Sequence, residues 1–137
     1  MVGCCTISDV TVTIGAVAAE AEKTATEVAA EIQTAVQAEV DKSMGSNVPA
    51  VTWDGTQSDE ARITNAAAIK TAIDAAVTAS GKLPSGFTAT KAADATFTIN
   101  DPTASDAGSA TITITVTNTE DSSTGTVTIT VVIPATA

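Results

Sequence analysis

Ser109-Ala-Thr-Ile-Thr-Ile-Thr-Val-Thr117 and, after a polar loop, Gly125-Thr-Val-Thr-Ile-Thr-Val-Val-Ile133 place an apolar residue at nearly every second position with threonine between. A period of two marks strands with one face buried and one face wet. Ile112, Ile114 and Val116 are expected to face a core with Val127, Ile129, Val131 and Ile133, while the threonines face water or a neighbouring subunit. Pro134 ends the second segment, and the run from Asn118 to Gly125 predicts a hairpin loop too long for a two-residue turn. A further strand is expected at residues 95–100, where Asp101-Pro102 marks its end.

Upstream the spacing changes. Val28, Ile32, Val36 and Val40 recur every four residues, and Val17, Ala21 and Ala25 extend that stripe towards the N-terminus, which predicts an amphipathic helix over residues 16–44. Glu20 and Glu22 suit its positive end, Lys42 its last turn and Gly45 a left-handed cap beyond it. Residues 6–14, with Val10, Val12 and Ile14 alternating with threonine, read as a first strand. Ala50-Val-Thr-Trp53 before the Asp54-Gly55 turn reads as a short one. Ser58 is placed to cap a second helix over residues 59–79, with Ile63, Ala66, Ile69, Ile73 and Val77 on its buried face and Gly81 closing it.

The two helical segments resemble each other. Ala30-Glu-Ile-Gln-Thr-Ala-Val-Gln-Ala-Glu-Val40 aligns without gaps on Ala67-Ala-Ile-Lys-Thr-Ala-Ile-Asp-Ala-Ala-Val77, and each is followed by a glycine, an apolar-proline pair and a threonine-bearing apolar piece. Either a duplicated helix-strand unit or the shared composition of Ala-rich amphipathic helices accounts for it. The expected fold is α+β in a single domain over residues 1–137. Residues 1–94 hold a strand and two amphipathic helices with a short intervening strand, and residues 95–137 hold a Thr-rich, mostly antiparallel sheet on which the helices pack.

Composition excludes more than it assigns. Sixteen acidic residues against six basic ones give a net charge of −10, and the cations Lys23, Lys42, Arg62, Lys70, Lys82 and Lys91 form no stripe, so nucleic acid is not an expected partner. No apolar run reaches the roughly 18 residues of a membrane helix. Met1-Val2-Gly3 does not open a secretion signal, so the chain is expected either to stay in the cell that makes it until assembly or to follow an export signal lying upstream. With no histidine and no tyrosine, Ser-His and Cys-His nucleophiles cannot form; there is no Gly-rich phosphate loop, and neither an enzyme nor a cofactor is expected.

Three features remain as candidate sites. Asp54, Asp59, Asp101 and Asp106 supply hard oxygen ligands that could hold calcium, although their spacing is not that of an EF-hand loop and turn-forming or capping roles suit the same residues. Adjacent Cys4 and Cys5 cannot complete a four-ligand metal site. They are free thiols, an intermolecular disulfide, or, for Cys4, the lipidated residue of a lipoprotein box. Trp53 reads as a plug between helix and sheet.

The order helix, proline, strand, Thr-rich strands ending in Val-Ile-Pro resembles the repeat unit of spiralin, a spiroplasma surface lipoprotein, over residues 60–134. Ala68-Ile-Lys-Thr-Ala-Ile73 carries most of that likeness. The spiralin family is lysine-rich and this chain is not. The resemblance implies a cell-surface lipoprotein or adhesive module anchored through Cys4. Composition and patterning point first to a non-enzymatic structural subunit of a virion or extracellular assembly, such as a capsid-decorating or coat protein, partnered by copies of itself or a protein lattice and expected to be a homo-oligomer.

Overall fold

The computed structural model describes residues 23–42 and 47–136. Its elements run in the order α1 (Ala25–Asp41), a 3-10 turn (Asp59–Arg62), α2 (Ala66–Ser80), β1 (Phe87–Ala89), a second 3-10 turn (Ala92–Asp94), β2 (Thr98–Asn100), β3 (Gly108–Asn118) and β4 (Thr124–Ile133). This is the expected α+β arrangement of two helices on an antiparallel sheet. The expected first strand at residues 6–14, together with Cys4, Cys5, Glu20, Glu22 and Gly45, lies outside the described residues.

The sheet is organised around β3. Along one edge it pairs with β4 over ten residues, from Gly108 opposite Ile133 to Thr117 opposite Thr124. Along the other edge β1 and β2 share its length end to end, β1 opposite residues 116–118 and β2 opposite residues 109–111. Between them the chain leaves the ladder for the 3-10 turn that buries Ala92. The period-two reading holds throughout: Ile112, Ile114, Val116, Val127, Ile129, Val131 and Ile133 are all at most 1% exposed. They join Val28, Ile32, Val36 and Val40 of α1 and Ile69, Ile73 and Val77 of α2 in one core. At about 1.5–3 kcal/mol for each fully buried aliphatic side chain, this cluster is the main favourable term in folding.

α1 starts where its side chains close the first turn. Thr24 accepts from the Glu27 amide at 3.1 Å and the Glu27 carboxylate accepts from the Thr24 amide at 2.9 Å, a complete capping box. This helix therefore begins at Ala25 and ends at Asp41 with Lys42 as its cap, while residues 16–22 of the expected span lie outside the described residues. The apolar stripe alone could not mark that start, because alternating and helical patterns merge in the alanine-rich stretch before it.

α1 follows β4 in the same direction. Its first residues press on Gly125, where an added Cβ would lie 2.7 Å from the Ala25 carbonyl carbon and 2.8 Å from Thr26 Cα. Further along, the Gln33 side-chain oxygen accepts the Thr128 amide at 2.8 Å. The Gln37 oxygen accepts the Thr130 amide at 2.9 Å while its nitrogen donates to the Thr130 carbonyl, also at 2.9 Å. Four helical residues rise about 6.0 Å and two strand residues about 6.6–6.8 Å, so glutamines one turn apart meet alternate residues of the strand. The outer edge of β4 is thus hydrogen-bonded to a helix in place of another strand.

The second helix is shorter than expected. Residues 59–62 form a 3-10 turn and Ile63 is extended, because Ile63 pairs with Trp53 in an antiparallel bridge. The Asp54 amide donates to the Arg62 carbonyl at 2.6 Å and the Thr64 amide to the Thr52 carbonyl at 2.8 Å. Asn65 then fastens the same loop, accepting from the Thr52 amide and donating to the Ala50 carbonyl. Helix resumes at Ala66 and closes on Gly81, which takes the expected left-handed conformation at φ 66°. Residues 50–53 are accordingly a bridge to Ile63, not a strand of the sheet. The expected strand at 95–100 is confined to Thr98–Asn100, since Ala92–Asp94 and the extended Ala95 carry the chain around Phe97.

Gly125→Ala is expected to destabilise the protein by about 1–3 kcal/mol through the clash with the Ala25–Thr26 backbone, read as a lower urea midpoint at unchanged slope.

Candidate functional site

Of the four aspartates that the sequence offers as candidate ligands, Asp54 and Asp101 have carboxylate oxygens committed to the chain itself. The Asp54 carboxylate accepts from the Thr56 backbone amide at 3.0 Å, the Thr56 hydroxyl at 2.6 Å and the Gln57 side-chain nitrogen at 3.4 Å. These donors, with the Thr56 hydroxyl first, hold its carboxyl below the usual 3.8. Asp101 is paired with Arg62, whose guanidinium occupies the position that a cation would need and also lies 5.7 Å from the Trp53 ring centre. Asp59 sits at the head of the 3-10 turn with φ 49°, and Asp106 closes a turn in which the Thr103 hydroxyl accepts its amide at 3.0 Å. Among the described residues no three His, Cys, Asp or Glu side chains converge on a metal-sized position. Trp53 is half-buried at the margin of the core, flanked by Arg62 and Gly55.

Other polar side chains that the sequence did not single out work as fasteners. Glu60 takes the Lys70 ammonium at 2.8 Å on one oxygen and the Phe97 amide at 2.5 Å on the other, and the Lys70 nitrogen lies 5.6 Å from the Phe97 ring centre. Asp74 accepts from the Ala92 and Ala93 amides at 2.7 and 3.1 Å, capping the second 3-10 turn from outside. The internal alignment gave a signal for both. Lys70 stands where α1 has Gln33 and Asp74 where it has Gln37, so the same two positions of the aligned segments reach sideways to neighbouring chain in each helix.

Among the described residues, none of the helices lies on the sheet face opposite α1 and α2. Register places Thr111 beside Thr130, Thr113 beside Thr128, Thr115 beside Thr126 and Thr117 beside Thr124, so four rungs of threonine run down one face. Thr98 widens the first rung and Thr88 the last. Thr113, Thr126 and Thr128 are exposed, and the Thr111 and Thr130 hydroxyls lie 3.5 Å apart. Neither β3 nor β4 contains a charged residue. At the open end of the ladder Val132, 51% exposed, is the one large hydrophobic side chain among the described residues that projects into solvent.

Hollows at the surface are shallow. A polar one, of about 330 Å³, lies at the β3–β4 hairpin between Lys23, Gly86, Asn118 and Asp121. The Ser123 side chain and amide hold the Asp121 carboxyl below 3.8 there. No family model, no curated protein and no solved structure matches this chain.

Thr56→Val is expected to raise the Asp54 midpoint towards 3.8 in a carbon-detected carboxyl titration while leaving Asp121 unmoved. Because both carboxyls are depressed in the folded state, the stability they lend is present above pH 3.8 and falls away as pH drops below it.

Proposed function

We propose that this chain is a non-enzymatic structural subunit of a virion or extracellular assembly, of the capsid-decorating or coat kind. The observation that carries the reading is the combination of an open, uncharged threonine face with a closed sheet edge. Gln33 and Gln37 occupy the edge of β4 by which strands would add. The face remains wide, regular and free of charge in a chain of net charge −10. A face of this kind suits lateral packing onto another protein surface, where the interface core is depleted in charge. The carboxylates of Asp54, Asp74 and Asp101 are engaged in a turn, a cap and an ion pair, which supports a structural role over a catalytic one.

Immunogold labelling with an antibody raised against the folded chain tests this on intact cells and released particles of the source organism. Label on particles or on an outer cell surface is the expected result. Label confined to the cell interior, in cells and particles alike, contradicts it. Label on the cell membrane that detergent but not salt removes favours the lipid-anchored surface module that the spiralin resemblance implies.

A further inference from the structure

We infer that residues 10–14, which lie outside the described residues, dock as a strand on the outer edge of β1, antiparallel to it, with Val10, Val12 and Ile14 turned towards α2. This docking needs only the sheet and the connectivity of the chain, and it holds or fails independently of the assembly reading.

Register defines the edge. The Gly86 carbonyl accepts the Thr119 amide and the Thr90 amide donates to the Thr115 carbonyl, both at 2.9 Å, and Thr88 lies opposite Thr117 between them. Residues 86, 88 and 90 therefore turn their polar groups to β3, and the Phe87 carbonyl and both backbone groups of Ala89 point the other way. None of the described strands pairs on that side. At the opposite edge of the sheet Gln33 and Gln37 already hold Thr128 and Thr130, which leaves the β1 side for a further strand.

A hollow lies on the core side of the same edge. It measures about 330 Å³ and is bounded by Val77 and Thr78 of α2 together with Leu83, Ala89 and Lys91. Val77 is buried, whereas Leu83, Phe87 and Ala89 are half-buried, packed on the core without being enclosed by it. In a strand hydrogen-bonded to β1, every second side chain would enter this hollow, and those between would extend the row of Thr88 and Thr117. The pattern this requires is aliphatic and threonine in alternation. Val10-Thr-Val-Thr-Ile14 supplies it, as Val127-Thr-Ile-Thr-Val131 does in β4. Residues 10–14 carry no charge, so the chain's net charge of −10 does not oppose their docking.

Connectivity selects this segment over one from another molecule. Lys23, where the described residues begin, lines the hairpin hollow together with Gly86 and Phe87 at the head of β1. Residues 15–22, a link of eight, reach at most about 26–29 Å, enough to cross several strand spacings of about 4.8 Å. A strand that ends with Ile14 at the head of β1 runs antiparallel to it. The tether keeps the segment at an effective concentration on the order of millimolar, so a short edge suffices to hold it. Both edges of the sheet are then covered against strand addition.

NMR on the full chain under reducing conditions is the test. Nuclear Overhauser contacts from the Val10, Val12 or Ile14 methyls to those of Val77 or Leu83 are expected, together with slow exchange at the Ala89 amide. In a mixture of isotope-labelled and unlabelled chains these contacts are expected within one chain and not between chains. Val12→Asp, which sets a charge in the hollow, is expected to speed Ala89 exchange at least about tenfold, whereas Val12→Ile leaves it slow. The Thr130 amide, held by Gln37, is expected to keep its rate in both variants and so reports an intact fold. Wild-type chain that lacks the methyl contacts, or shows them only between chains, overturns the inference. So does an Ala89 amide as slow in Val12→Asp as in the wild type. If Val12→Asp also loses protection at Thr130, the methyl contacts of the wild type decide.

Discussion

Two glutamine side chains on α1 hold the geometry of this protein together. An exposed strand edge is a row of unpaired amides and carbonyls, and β4 has such an edge because no described strand pairs with its far side. At Thr128 and Thr130, Gln33 and Gln37 satisfy it with the donors and acceptors of a primary amide, which carries the same groups as the peptide unit. At roughly 1 kcal/mol for each hydrogen bond the energetic gain is modest beside core burial. The geometric effect is larger. The bonds fix how far α1 slides along β4 and how it rolls on the sheet, and so which apolar side chains meet in the core.

From that constraint the rest follows. With α1 locked along β4, Gly125 must lack a side chain because the first helical turn occupies its space. α2 packs beside α1, and its Lys70 and Asp74, at the positions of the glutamines in the aligned segment, serve the chain near Phe97 and Ala92. Asn65 uses the same chemistry again, its amide standing in for a strand against Ala50 and Thr52. The fold repeatedly uses side chains on helices and turns to satisfy backbone that would otherwise need a wider sheet.

The long strands and the helical stripes were legible because their signals are periodic and local. Ile112, Ile114 and Val116 could face only one way once β3 formed, and the same holds for Ile32 and Val36 on α1. The break in the second helix was not legible: Ile63 fits a helical stripe, and its extended conformation depends on a partner, Trp53, ten residues away. Thr24 and Glu27 did carry a start signal, but the apolar spacing continuing upstream obscured it. Gln33 and Gln37 resembled ordinary solvent-facing helix residues. Their role appears only when the strand register sets the Thr128 and Thr130 amides beside them. The threonine face was visible as a pattern, whereas Asp54 and Asp101 attracted attention by residue type and serve a turn and Arg62.

The functional reading depends on the same closure. On the proposed reading, a sheet whose edge is held at Thr128 and Thr130 would make its contacts through the uncharged outer face, and one whose edge opens would instead add strands. Amide hydrogen exchange resolved by NMR at Thr128 and Thr130, in the wild type and in the Gln33→Ala/Gln37→Ala double variant, tests the closure most directly. Slow exchange at both amides in the wild type, accelerated selectively in the variant while Ile129 and Val131 stay protected by β3, is the result predicted. Fast exchange at Thr128 and Thr130 in the wild type, or rates unchanged by losing both glutamines, would contradict the account.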